Sequence, residues 1–138
     1  MRRVVLSILF AFLSLPVFAS EVYVLVDIPT QTMTVRVDGA VKHTFPVSTG
    51  REGYTTPAGA YGVTRMYRKY HSKKYDGAPM PHSIFFHGGY AIHGTTDIKR
   101  LGKIASHGCV RLHPDNAKML FALVQDIGSD KTHIWVKR

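Results

Sequence analysis

One cysteine stands in the whole chain, Cys109, inside the stretch SHGCVRL at residues 106–112. A thiol attacks carbonyl carbon as the thiolate, and near an ordinary pKa of about 8.5 only a few per cent of it is ionised at neutral pH. It therefore needs a base, and three histidines lie near it in sequence: His93, sixteen residues before, then His107 and His113. Spacing alone leaves the choice among them open. Attack on an amide also drives charge onto the carbonyl oxygen, which must meet hydrogen-bond donors. His107, Gly108 and Cys109 offer successive backbone amides, in a segment where Gly108 permits an unusual backbone shape. Arg111, two residues beyond the thiol, carries a fork that can hold a carboxylate through two bonds, although a solvated surface arginine is the plainer use of that residue type. Together these residues suit acyl transfer through a thioester.

Metal binding is the rival chemistry. The chain has 8 histidines, and His87, His93, His107, Cys109 and His113 are ligands by type. Their spacing matches neither His-x-x-x-His nor Cys-x-x-Cys, so neither a metal nor any other cofactor is expected.

The compartment gives the lone thiol its weight. Residues 1–19 run from Arg2 and Arg3 through an apolar stretch at 4–15 to Pro16 and the small-residue pattern Val17-Phe18-Ala19. That order is the pattern of a secretory signal peptide, cut after Ala19, and the apolar stretch is short for a membrane anchor left uncut. Residues 20–138 then make one domain of a size for a single core. In an oxidising compartment cysteines usually pair as staples, and Cys109 has no partner in its own chain. A buried, inert cysteine is common elsewhere, but the neighbours of this one carry chemistry. The chain holds 18 Lys+Arg against 9 Asp+Glu. Removal of Arg2 and Arg3 with the leader leaves a clear cationic excess, which either serves solubility alone or draws anionic envelope polymers, lipid headgroups or carboxylate-bearing wall material, rather than nucleic acid.

The elements that must position these residues read mostly as strands. Residues 21–27, 32–37 and 40–47 are short β-branched segments, the last two joined by Asp38-Gly39, a favoured two-residue hairpin turn. Residues 51–59 are turn chemistry with Pro57 and Gly59. A further strand is expected over 60–68, and a long basic loop or flap over 69–81. Residues 82–94 read as a hairpin around Gly88-Gly89, with His93 at the end of its second strand. One helix is expected, with His113 as cap, Pro114 in the first turn, Asp115 near the positive end and a stop at Gly128; Ala117, Leu120, Phe121 and Val124 recur on one face. Residues 132–137 make a last strand. The expected fold is mainly β, with one helix packed on the sheet.

The ordered motifs VSTG (47–50), TPAG (56–59), MP (80–81), AIHG (91–94), LGK (101–103) and SHGCVRL (106–112) resemble the YkuD-type L,D-transpeptidase family. The likeness spans nearly all of residues 20–138. It implies a β-sandwich-like domain and a cysteine acyltransferase of peptidoglycan. Cys109 would attack the carbonyl of the L-centre before D-alanine in a tetrapeptide stem, in the periplasm or cell envelope. His93 would be the base, oriented by the backbone carbonyl of Gly94, while His107 stays a second candidate. Arg111 and Ser106 would face the substrate. The partners implied are stem peptides, with a second stem, an envelope protein or water as acyl acceptor. A carbapenem would add covalently to Cys109. Retention of the fold as a non-catalytic envelope-binding module is the alternative, and the intact Cys109 and His93 speak against it. Tyr54, Tyr67 and Tyr70 could line a groove, but half-buried packing is the commoner use of tyrosine in a small β domain.

Overall fold

A computed structural model describes residues 13–15 and 19–138; the leader expected over 1–19 lies largely outside the described residues. Among the described residues nine strands form two sheets. The first has the order β3-β2-β1-β9-β4, from β1 (Val22–Asp27), β2 (Thr32–Val37), β3 (Ala40–Pro46), β4 (Gly59–Gly62) and β9 (Thr132–Lys137). The second has the order β5-β6-β7-β8, from β5 (Arg65–Tyr67), β6 (Ser83–His87), β7 (Tyr90–Gly94) and β8 (Val110–Leu112). Strands β1 to β3 form the expected meander, and the turn between β2 and β3 places Asp38 and Gly39 at φ 51° and 82°. Two positive φ values in succession are what a tight hairpin demands of its turn, and Asp-Gly meets that demand at low cost.

The first sheet is amphipathic in the ordinary way. Val22, Val24 and Val26 of β1, Met33 and Val35 of β2, and Ile134 and Val136 of β9 point inward and join the main core. The alternate residues Tyr23, Leu25, His133 and Trp135 line a groove on the outer face. Trp135, the only tryptophan of the chain, is 57% exposed there.

The second sheet is buried on both faces. Ile84, Phe86, Ile92, Val110 and Leu112 turn to the main core. Phe85 and Ala91, paired across the β6-β7 hairpin, turn the other way and are covered by Met80 and Tyr70 of the 69–81 segment. Cys109 packs against this smaller cluster. That segment is a flap with its own hydrogen bonds: a bridge joins His71 to Pro79, and the Met80 amide donates to Tyr70 O at 2.8 Å.

The helix α1 (Pro114–Ile127) lays Ala117, Leu120, Phe121 and Val124 into the core and packs on β6 and β7. Its start is set by His113, whose Nδ1 accepts from the Asp115 amide at 3.1 Å, and its stop by Gly128 at φ 123°. Among the described residues no helix is long and apolar enough to cross a membrane.

One expectation is corrected. The strand expected over 60–68 is two strands in two sheets: β4 pairs β9 in the first, and β5 pairs β6 in the second. Gly62, Val63 and Thr64 carry the chain across, with the Thr64 amide held by Phe85 O at 2.9 Å. A run of apparently continuous β character conceals such a crossing because residues of either sheet have the same propensity. Strand β8 was not foreseen, being three residues long and lying directly after the thiol loop.

Candidate active site

Register on the second sheet brings the chemistry together. Strand β8 runs parallel to β7 with Ile92 opposite Val110 and His93 opposite Arg111. Side chains alternate along strands, so Ile92, Val110 and Leu112 go to the core, whereas Ala91, His93 and Arg111 take the opposite face. Cys109 stands two residues before Arg111 and shares that side. His93, Cys109, Arg111, His107 and Tyr75 of the flap all line one cleft of about 570 Å³.

The loop holding the thiol is built against the stretch 47–51. Ser48 exchanges two backbone bonds with Arg111, 3.0 and 2.8 Å; Thr49 O accepts from the Ala105 and Ser106 amides at 2.9 and 3.0 Å; and the Arg51 amide donates to Ser106 O at 2.9 Å. Thr49 is itself pinned by buried Gln31, whose Oε1 accepts from the Thr49 amide at 2.9 Å and whose Nε2 donates to Thr49 Oγ1 at 2.6 Å. The motif VSTG is thus the backbone splint of the thiol loop. No signal in Gln31 itself pointed to this, since a glutamine between two strands reads as a turn residue.

His93 is 6% exposed, and its Nδ1 lies 2.7 Å from Gly94 O. A carbonyl only accepts, so Nδ1 carries the proton and Nε2 is left with its lone pair. Burial, reinforced by the charge of Arg111 and opposed by the Gly94 carbonyl, lowers the His93 pKa to about 4. Burial pushes the Cys109 thiol up, against the pull of the Ala91 backbone and Arg111. Sγ lies 3.8 Å from Gly89 O. Both groups are therefore neutral at pH 7, a thiol and an unprotonated imidazole lining one cleft.

His107 sits differently. Its ring stacks on Tyr75 at 4.1 Å and meets the edge of Tyr54 at 5.0 Å, tying the thiol loop to the flap. Burial and then the cations Arg51, Arg111 and Lys74 lower its pKa. His113 serves as the helix cap and does not line the cleft. Tyr67 and Tyr70 stack on each other and against Phe85, a packing role.

Ser106 and Gly108, both expected at the site, make bonds inside the thiol loop. Ser106 borders the cleft but is 1% exposed, and its hydroxyl is used inside the loop, donating to Cys109 O at 2.6 Å and accepting from the Gly108 amide at 3.0 Å. Its hydroxyl thereby braces the loop at the edge of the cleft. The Gly108 amide is thus engaged inside the loop, whereas the amides of His107 and Cys109 make none of the loop's internal bonds. Gly108 is needed for its shape: φ is +122°, and a Cβ there would come within 2.5 Å of the Tyr90 ring.

Arg111 has its Nη1 3.6 Å from Asp97 Oδ2, and Asp97 also pairs with Arg100. Asp97 and Arg100 line the same cleft. They escaped the sequence reading because a polar stretch before a short 3₁₀ turn carries no periodic signal. Among the described residues no three His, Cys, Asp or Glu side chains converge as metal ligands would.

This arrangement has relatives. The family model for the YkuD L,D-transpeptidase catalytic domain matches residues 21–135. The Bacillus subtilis (strain 168) protein YqjB, named a candidate L,D-transpeptidase, is 31% identical over 115 residues, covering 74% of this chain and 65% of its own. An L,D-transpeptidase structure from Stackebrandtia nassauensis is 29% identical with a TM-score of 0.75, covering 93% of this chain and 60% of that one. The fold is also that of the L,D-transpeptidase LdtMt1 solved in complex with imipenem, 24% identical with a TM-score of 0.74, covering 86% of this chain and 59% of that one. The chain thus spans less than two thirds of the length of each of these relatives. With the family model running from the first strand into the last, and the thiol loop, β7 and the 47–50 splint all inside the matched region, the chain belongs to the YkuD family of L,D-transpeptidase catalytic domains.

Proposed function

We propose that the chain is an exported L,D-transpeptidase that cleaves the bond between the L-centre and D-alanine of peptidoglycan tetrapeptide stems through a Cys109 thioester. The observation that carries this reading is the neutral pair at the cleft: a lone thiol, and a buried histidine whose Nδ1–H is committed to Gly94 O so that only Nε2 can take a proton. In the first half-reaction Nε2 accepts the thiol proton and Sγ bonds to the stem carbonyl carbon. The C=O π pair moves to oxygen, facing the amides of Cys109 and His107. Collapse restores the carbonyl, breaks the C–N bond and releases D-alanine, whose nitrogen takes the proton from His93. In the second half an acceptor amine attacks the thioester carbonyl, its proton passes to His93 Nε2 and on to the departing Cys109 sulfur, and the product is a 3→3 cross-link or an anchored protein; water in place of the amine gives L,D-carboxypeptidase activity. Arg51, Lys74, Arg100 and Arg111 surround the cleft with positive charge, suited to stems that bear carboxylates.

Mass spectrometry of a disaccharide-tetrapeptide incubated with the protein tests this. D-alanine release is expected from the wild type and from no folded Cys109→Ala variant. Release by that variant would overturn the thioester route. Running the donor alone and then with added amines assigns the second half: tripeptide means hydrolysis, a dimer means cross-linking, and an amine adduct means transfer.

A further inference from the structure

Thr56, in the TPAG stretch, is 0% exposed and touches the thiol loop from behind. Its Oγ1 accepts from the Gly50 amide at 2.9 Å and donates to Gly108 O at 2.8 Å. A hydroxyl has one hydrogen. Because the Gly50 N–H supplies one bond, that hydrogen is directed to the Gly108 carbonyl, and the bond joins residues 52 apart in sequence.

The consequence follows from peptide geometry. The Gly108–Cys109 bond is trans, as every described peptide bond is, so its C=O and N–H point in opposite directions. A Gly108 carbonyl drawn inward to Thr56 sends the Cys109 amide outward, on the side of the cleft. Gly108 would otherwise be free to rotate this plane, since no side chain restrains it. The plane after Cys109 is held separately, by the Ser106 hydroxyl on Cys109 O.

We propose that Thr56 is a positioning residue of the oxyanion site: its hydroxyl, oriented by Gly50, locks the Gly108 carbonyl inward and so aims the Cys109 amide at the charge that develops during acylation. This assignment rests on the acyl-transfer reading above. Thr56 touches no substrate; it acts through the peptide plane.

Two reactions of the same thiol separate this role from a structural one. Iodoacetamide alkylates by displacement at a CH₂ carbon: the S–C bond forms, iodide leaves, and no oxyanion appears. Imipenem acylates: S–C forms at the lactam carbonyl through an oxyanion, the ring C–N bond breaks, and the ring nitrogen takes the thiol's proton by way of His93. Both are followed by intact-protein mass. Thr56→Val keeps the shape and loses the hydroxyl. Acylation is expected to slow by about 10²-fold, the lower end of the loss of an oxyanion donor, while alkylation stays within about twofold because the thiol's ionisation is untouched. Thr56→Ser is expected to recover most of the acylation rate, with an unchanged pH profile. Should Thr56→Val fail to fold, Thr56→Ala compared with Thr56→Ser isolates the hydroxyl in the same two assays. Acylation unaffected in the folded variant, or acylation and alkylation slowed alike, would overturn the assignment. A wild type that is alkylated but acylated by neither imipenem nor a tetrapeptide would overturn the reading beneath it, and the assignment with it.

Discussion

Burial leaves His93 neutral across the whole physiological range, and this dictates how the reaction should respond to acid. In the proposed mechanism the reactive state is thiol plus unprotonated imidazole, which is lost when His93 gains a proton. With its pKa lowered to about 4 by burial and Arg111, acylation should hold level as pH falls through 6.5 and decline only on approaching 4, as stopped-flow acylation from pH 3.5 to 9 would report. An acid limb near 6.5 would instead show that His93 is not the base. His93→Ala should slow acylation at pH 7 by roughly 10²–10⁴-fold and leave a rate that climbs with pH as hydroxide makes the thiolate, the usual signature of a lost general base. The two candidate histidines were indistinguishable as letters, each followed by glycine. What separates them is environment: one is buried on the cleft face of the second sheet and bonded to its own neighbour's carbonyl, the other stacks on one tyrosine and meets the edge of another. Environment of that kind arises from contacts made by residues distant in sequence, which no local pattern reports.

At the scale of elements, the thiol loop is a short irregular turn made rigid by its neighbours. Gly108 is its weakest link to mutation. Its φ of +122° is strained for any side chain, and a Cβ would collide with the Tyr90 ring. Gly108→Ala should therefore lower stability by about 1–3 kcal/mol, seen as a drop in the thermal midpoint. It should reduce acylation far more than the stability loss explains, because relief of the clash rotates the peptide planes on which the amides depend. A variant acylated at the wild-type rate would show that the loop tolerates other shapes. Much of this frame was legible. The meander, the Asp-Gly turn, the β6-β7 hairpin and the capped helix all announce themselves through local chemistry, and the motif order located the thiol loop. The crossing at 62–64 and strand β8 did not, since one has no break in propensity and the other is too short for a period. The 69–81 segment is legible as a loop or flap, but not its internal bonds or the sheet face it covers, since these are made to residues distant in sequence.

At the scale of the molecule, the two faces have different occupations. The cleft opens on the outer side of the second sheet, under the flap, where cations gather. The outer side of the first sheet carries Tyr23 stacked on His133 at 4.8 Å, with Trp135 in the neighbouring row and Ala60 opposite it on β4. The whole-chain charge balance foretold a cationic protein but not where the cations would stand, which is decided by the pairing of β7 with β8 and by the Asp97 turn. Trp135 has an optical consequence. The chain's only indole reports on water at the outer face of the first sheet and is no part of the wall around the thiol. Emission excited at the indole should be red-shifted in the native state, readily quenched by iodide, and unchanged when imipenem or a stem peptide acylates Cys109, so that acylation has to be followed by mass or by product. A large change in emission on acylation would mean that the two sheets communicate. With an otherwise silent indole, any ligand that does dim or shift it can be assigned to the far face, and the protein carries a built-in dye for that surface alone.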